Sequence, residues 1–122
     1  MQRPADLLAV LAALMGASGV ALAAASTHAG GGELGRTAAE FLVLHAAALM
    51  GVTAATRKTS PRRARGLLLA GSALAVGTLL FAGDLTKLAF TGSRLFPFAA
   101  PTGGSLMILS WIALAAVFAL KE

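Results

Sequence analysis

The sequence predicts an all-α integral membrane protein, built as a four-transmembrane-helix antiparallel bundle with both termini on the cytoplasmic side. Three observations carry that prediction. Hydrophobic residues make up 57% of the chain and charged residues only 12%, about half the charged share of an average soluble domain. The apolar residues gather into four stretches, each of bilayer-crossing length. Basic residues concentrate in one connector, Arg57-Lys58-Thr59-Ser60-Pro61-Arg62-Arg63-Ala64-Arg65, which holds five of the ten in the chain.

At 122 residues the chain is a single membrane domain, residues 1–122, with no room for a second. Its net charge of +5 would suggest nucleic acid on a soluble protein. Here no aromatic–basic interleaving accompanies the charge and Tyr is absent, so nucleic acid is not an expected partner. Zero Cys removes disulfides, thiolate metal sites and Cys nucleophiles together.

The first span covers about residues 6–25, and twenty residues rise roughly 30 Å, the thickness of a bilayer core. The competing reading is a cleavable signal peptide. It would start at Arg3 and be cut near Ala21-Leu22-Ala23 or Ala23-Ala24-Ala25; three further spans make an anchored first helix the expectation. Gly16 and Gly19 lie within it, and Ala13, Ala17, Ala21 and Ala25 recur every fourth residue. Small side chains on one face let helix backbones approach closely in lipid, so a tight helix contact is expected there.

Residues 26–35 read as a polar, glycine-rich connector, because Gly30-Gly31-Gly32 interrupts a helix and permits positive φ. The second span, about 36–56, opens with Arg36 and Glu40 one turn apart, a spacing that favours a local ion pair. His45 follows in apolar company, and Ala47, Gly51 and Ala55 form another small stripe. The basic stretch 57–65 with Pro61 reads as a connector. The third span runs about 66–83 with an amphipathic extension to about 91, residues 91–104 read as turn-like, and the fourth span covers about 103–120.

Orientation follows from charge. With the basic connector inside, Arg3, Arg57, Lys58, Arg62, Arg63, Arg65 and Lys121 lie on the cytoplasmic side, against Arg36, Lys87 and Arg94 outside. Seven against three is a clear asymmetry.

Five polar residues stand out as functional candidates: His45, Asp84, Lys87, Glu40 and His28. Asp84 and Lys87 are three apart, and Thr91 and Arg94 continue the same face, so an outer, solvated, self-paired helix end is the plain structural reading. The functional reading turns Asp84 inward as a proton or cation site. His45 lies about 12 Å in from Thr37 by helical rise, near mid-membrane. Structural glue to a neighbouring helix is the plain reading there; proton relay, quinone contact and haem ligation compete with it. A bis-His haem would need His28 and His45 at one depth, which their spacing opposes. Arg36, Glu40, Asp84, Lys87 and His28 are expected to share an outer polar network. No metal motif, phosphate loop or nucleophile elbow occurs, so neither a metal nor a cofactor is expected and the chain reads as a non-enzyme.

Four local patterns carry a family resemblance. They are Gly16-Ala17-Ser18-Gly19-Val20-Ala21 running on to Thr27-His28-Ala29; Phe41-Leu42-Val43-Leu44-His45-Ala46-Ala47-Ala48-Leu49; Leu80-Phe81-Ala82-Gly83-Asp84-Leu85; and Pro101-Thr102-Gly103-Gly104 ahead of Ser110-Trp111. In order and spacing they resemble the YgdD-like family, domain of unknown function 423, related to transmembrane protein 256. The resemblance implies a small four-helix protein of the bacterial inner membrane and supplies no activity, substrate or catalytic residues. His28 and His45 match the family's G-A-H and H-A-L-A-L positions. The family typically reads L-F-S-G-S-L-Y where this chain has Ala82, Asp84 and Thr86, which marks Asp84 as a departure.

The expectation is a non-enzymatic structural or accessory protein, packing with itself or with a larger membrane complex. A minimal transporter or proton/ion pathway through His45 and the outer polar cluster is the alternative, and a quinone- or haem-binding subunit the second alternative.

Overall fold

The computed structural model describes residues 3–121. Four helices form an all-helical bundle: α1 (Pro4–His28), α2 (Gly32–Thr56), α3 (Pro61–Thr91) and α4 (Ala99–Ala119). All four are long and apolar enough to cross a membrane. The 31 residues of α3 rise about 46 Å, longer than the roughly 30 Å hydrocarbon core of a bilayer.

The connectors are shorter than the sequence suggests. Helix α1 continues to His28, and α2 restarts at Gly32, so only residues 29–31 are non-helical. Gly30, Gly31 and Gly32 take φ of 104°, 95° and 53°, values open to glycine. Gly31 is also tight: a Cβ there would come within 2.7 Å of the Phe90 ring. In the basic stretch only residues 57–60 are non-helical, because Ser60 caps α3 by accepting the Arg63 N–H (3.2 Å) and Pro61 takes the first helical position. Arg62, Arg63 and Arg65 are therefore helical, a correction to the connector read over 57–65. A second correction concerns residues 99–104. Pro101, Gly103 and Gly104 are inside α4, since a proline in a first turn lacks only an N–H that has no intrahelical partner.

Each helix packs on its chain neighbour, and α1 also touches α3, while the backbones of α1 and α4, and of α2 and α4, do not meet among the described residues. Glycines set the closest approaches. Gly16 faces Ala46, and a Cβ on Gly19 would meet the Ala39 carbonyl oxygen at 3.1 Å. Gly71 faces Val52 and Leu8, and Gly66 faces Val117. At Gly77 and Gly103 backbone lies on backbone: a Cβ on Gly103 would meet the Phe81 nitrogen at 2.6 Å and the Gly77 oxygen at 2.7 Å. Such contact is how helices associate in lipid, where burying apolar surface drives little.

The alanine stripe of α1 behaves differently from its glycines. Ala13, Ala17 and Ala21 are exposed, as are Ala47 and Gly51 of α2, and nothing lies within 4 Å of where a Gly51 Cβ would be. These small faces point out of the bundle, contrary to the tight internal contact expected for the α1 stripe.

At one end of the bundle Asp6 accepts from Arg3 (3.2 Å) and from Arg57, and Arg63 donates to the Leu120 carbonyl oxygen.

Candidate functional site

Two polar assemblies cross between helices. The first surrounds Asp84, which is 0% exposed. Helix α3 continues through Asp84 to Thr91 and ends on Gly92, whose φ of 77° lets its N–H reach the Leu88 carbonyl oxygen. The chain then folds back over residues 92–98, carrying Arg94 and Leu95 onto the carboxylate. Arg94 Nη1 donates to Oδ2 at 2.7 Å, the Leu95 N–H donates to Oδ1 at 2.9 Å, and the Ala100 N–H donates to Oδ2 at 3.1 Å. Ala100 is in the first turn of α4, whose preceding residue, Phe98, has no side-chain oxygen and takes φ 67°. A helix N-terminus needs an acceptor for its free N–H groups, and Asp84 supplies it from another helix.

This geometry corrects two expectations. Asp84 pairs with Arg94, not Lys87, and it is enclosed by protein instead of lying on a solvated helix face. Lys87 donates to Ser93 Oγ at 2.8 Å and to the Arg94 carbonyl oxygen at 3.2 Å, so it holds the backbone that presents Arg94. Thr91 bonds the Lys87 carbonyl oxygen at 2.6 Å, and Arg94 lies past the helix end.

The shared outer network does not form. His28, Arg36 and Glu40 are exposed, and among the described residues none bonds to Asp84 or Lys87; Arg36 and Glu40 make no ion pair with each other. One turn of helix brings such side chains within reach, but exposed pairs hold only weakly. Ser26 Oγ, against Gly35, is buried without a hydrogen-bond partner.

The second assembly is centred on His45. Its Nδ1 lies 2.8 Å from the Phe41 carbonyl oxygen, and Trp111 Nε1 donates to its Nε2 at 3.2 Å. A carbonyl oxygen only accepts and an indole N–H only donates, so the ring carries its proton on Nδ1 and accepts at Nε2. Phe41 stacks on the imidazole (centroids 5.6 Å apart, planes 8° apart), Trp111 meets it edge-on at 5.8 Å, and Phe81 contacts Phe41 at 4.8 Å. The rings thus tie α2 to α4, whose backbones do not meet among the described residues. Both ring nitrogens of His45 are engaged within the bundle. Among the described residues no three His, Asp or Glu side chains converge as metal ligands.

Sequence reasoning singled out His45 and Asp84 but missed Arg94, Leu95, Ala100 and Trp111 as their partners. One signal was legible: an acid in an apolar helix needs donors, and a helix opening on Phe98-Ala99-Ala100 needs an acceptor.

Comparison with known proteins places this architecture. A family model described as "Protein of unknown function (DUF423)" matches residues 15–104, most of the chain. The chain belongs to the DUF423 family. The Escherichia coli (strain K12) UPF0382 inner membrane protein YgdD is 32% identical over 109 residues, covering 84% of this chain and 81% of that protein. A Haemophilus influenzae UPF0382 membrane protein is 34% identical over 79 residues, covering 65% of this chain and 60% of that protein. No solved structure matches the chain. The DUF423 match contains His45, Asp84, Arg94 and Gly103, whereas Trp111 lies beyond it. With relatives named as membrane proteins and four helices long and apolar enough to span a bilayer, this DUF423 member is a membrane protein.

Proposed function

We propose that this DUF423 protein is a non-enzymatic packing component of the inner membrane, which assembles through the outward small-residue faces of α1 and α2. The observation that carries the reading is the exposure of Ala13, Ala17 and Ala21 on one helix and Ala47 and Gly51 on the next. Small residues facing lipid contribute nothing to the bundle, yet they are the surface on which a further transmembrane helix packs most closely. The two charged or titratable core groups support the same reading. Asp84 is held by three donors and His45 by two partners, which is the arrangement of structural ties more than of a proton or ion path.

In this reading successive helices run antiparallel and both termini are cytoplasmic. The pairings of Gly16 with Ala46 and Gly19 with Ala39, of Val52 with Gly71, and of Gly66 with Val117 support the first. The contacts of Arg57 with Asp6 and of Arg63 with Leu120 support the second, since they put both chain ends beside the basic connector.

The test is the native mass of the assembly extracted from membranes in mild detergent. A species larger than one chain is expected, reduced to the monomer by Ala17→Leu or Gly51→Leu. A wild-type monomer that carries out ion flux when reconstituted alone in liposomes would overturn the reading.

A further inference from the structure

We propose that the groove between α1 and α3 binds one chain of an anionic phospholipid, with the lipid phosphate at Lys87. The two helices meet at Leu8 and Gly71, and beyond that contact their side chains line a cavity of about 490 Å³ floored by Met15 and Leu42. Its walls are apolar and open sideways, with Leu14 61% exposed and Leu79 41% exposed. In a bilayer an apolar gap of this kind does not stay empty, because its lining would forfeit dispersion contacts on one side.

Size selects the occupant. From Leu11 to Leu22 the groove runs about 16 Å along α1, close to half the roughly 30 Å hydrocarbon core and so to one leaflet. That length suits one extended hydrocarbon tail of the same leaflet.

Charge selects the headgroup. Lys87 lines the end of the groove towards the α3 terminus. Its Nζ bonds only neutral oxygens of Ser93 and Arg94, and no carboxylate lies within ion-pair distance among the described residues. Arg94, by contrast, is matched by Asp84. The positive charge of Lys87 is thus uncompensated within the bundle, at the depth where a chain lying in the groove would place its phosphate. A compact ammonium suits a phosphate as a point charge.

The test is native mass spectrometry of the full chain with phosphatidylglycerol or phosphatidylcholine supplied in the detergent. Wild type is expected to retain phosphatidylglycerol roughly fivefold better, the weight of one cation near a membrane surface. Lys87→Gln should abolish the preference and Lys87→Arg should keep it. Ser18→Phe, at an exposed position lining the groove, should lose both lipids while circular dichroism stays unchanged. Equal retention of the two lipids by wild type, or full retention by Ser18→Phe, overturns the proposal. So does recovery of a quinone or a prenyl compound from native membranes in place of phospholipid, or a dimer that Ser18→Phe dissociates. The oligomer test uses Ala17 and Gly51, which do not line the groove, so the two readings fail independently.

Discussion

The Asp84 carboxylate accepts the backbone N–H of Ala100 at 3.1 Å, so a side chain of α3 caps the helix that follows it. The same carboxylate holds Arg94 and Leu95 of the intervening segment, so one residue ties both that segment and the first turn of α4 to α3.

Replacing Asp84 should therefore cost more than an ordinary surface charge. Asp84→Leu leaves the buried Ala100 N–H without its acceptor, and an unmade buried hydrogen bond costs about 1–3 kcal/mol, whereas the part-exposed Arg94 can turn to solvent. Asp84→Asn keeps one acceptor oxygen and should lose less. Thermal unfolding in detergent orders wild type above Asn above Leu; equal midpoints would show that the α4 cap is not held this way.

The glycine pair of the α3–α4 crossing offers a sharp contrast between neighbours. Gly103→Ala drives a methyl into the backbone at Phe81 and Gly77, and overpacking of this kind costs about 1–3 kcal/mol. At Gly104 the nearest atom is the Phe81 ring at 3.8 Å, so Gly104→Ala should be neutral or slightly stabilising. Equal unfolding midpoints for the two variants would show that the backbone contact at Gly103 is not this close.

Trp111→Phe removes the donor to His45 Nε2 while keeping an aromatic ring. A loss of about 1 kcal/mol is expected, in the range of interhelical hydrogen bonds in membranes. A double-mutant cycle with His45→Leu should show that most of this is shared. Nitrogen NMR of the ring should report the proton on Nδ1; a proton on Nε2 would contradict the Trp111 bond.

Both termini are expected in the cytoplasm. A C-terminal green fluorescent protein fusion should fluoresce and a C-terminal alkaline phosphatase fusion should be inactive. The opposite pair of results reverses the orientation.

Gly31→Ala and Gly30→Ala both place a side chain at positive φ, but only Gly31 also meets Phe90. Gly31→Ala should lower the unfolding midpoint by more, and similar midpoints would mean that Phe90 yields without cost.

Four helices and their lipid setting were legible in the sequence because they follow from composition and length, which each segment carries alone. The glycine break at residues 30–32 was legible for the same reason: φ freedom is a local property. Helix ends were less so. Pro101, Gly103 and Gly104 look like turn residues, yet they open α4, because a first-turn proline has no hydrogen bond to lose and Gly103 is needed for the backbone contact with α3. Periodicity marked the α1 alanines as a packing face but not what they face, and only the structure shows them turned outward.

The polar residues divide the same way. An acid in an apolar helix and a histidine at mid-membrane depth could be singled out from sequence, since their cost in hydrocarbon does not depend on the fold. Their partners could not. Asp84 bonds residues 94, 95 and 100, and His45 bonds Trp111, 66 positions away. Spacing pointed to Lys87, three residues from Asp84, because helical periodicity describes only an uninterrupted helix. The chain turns at Gly92, and that turn hands the carboxylate to Arg94 and to α4.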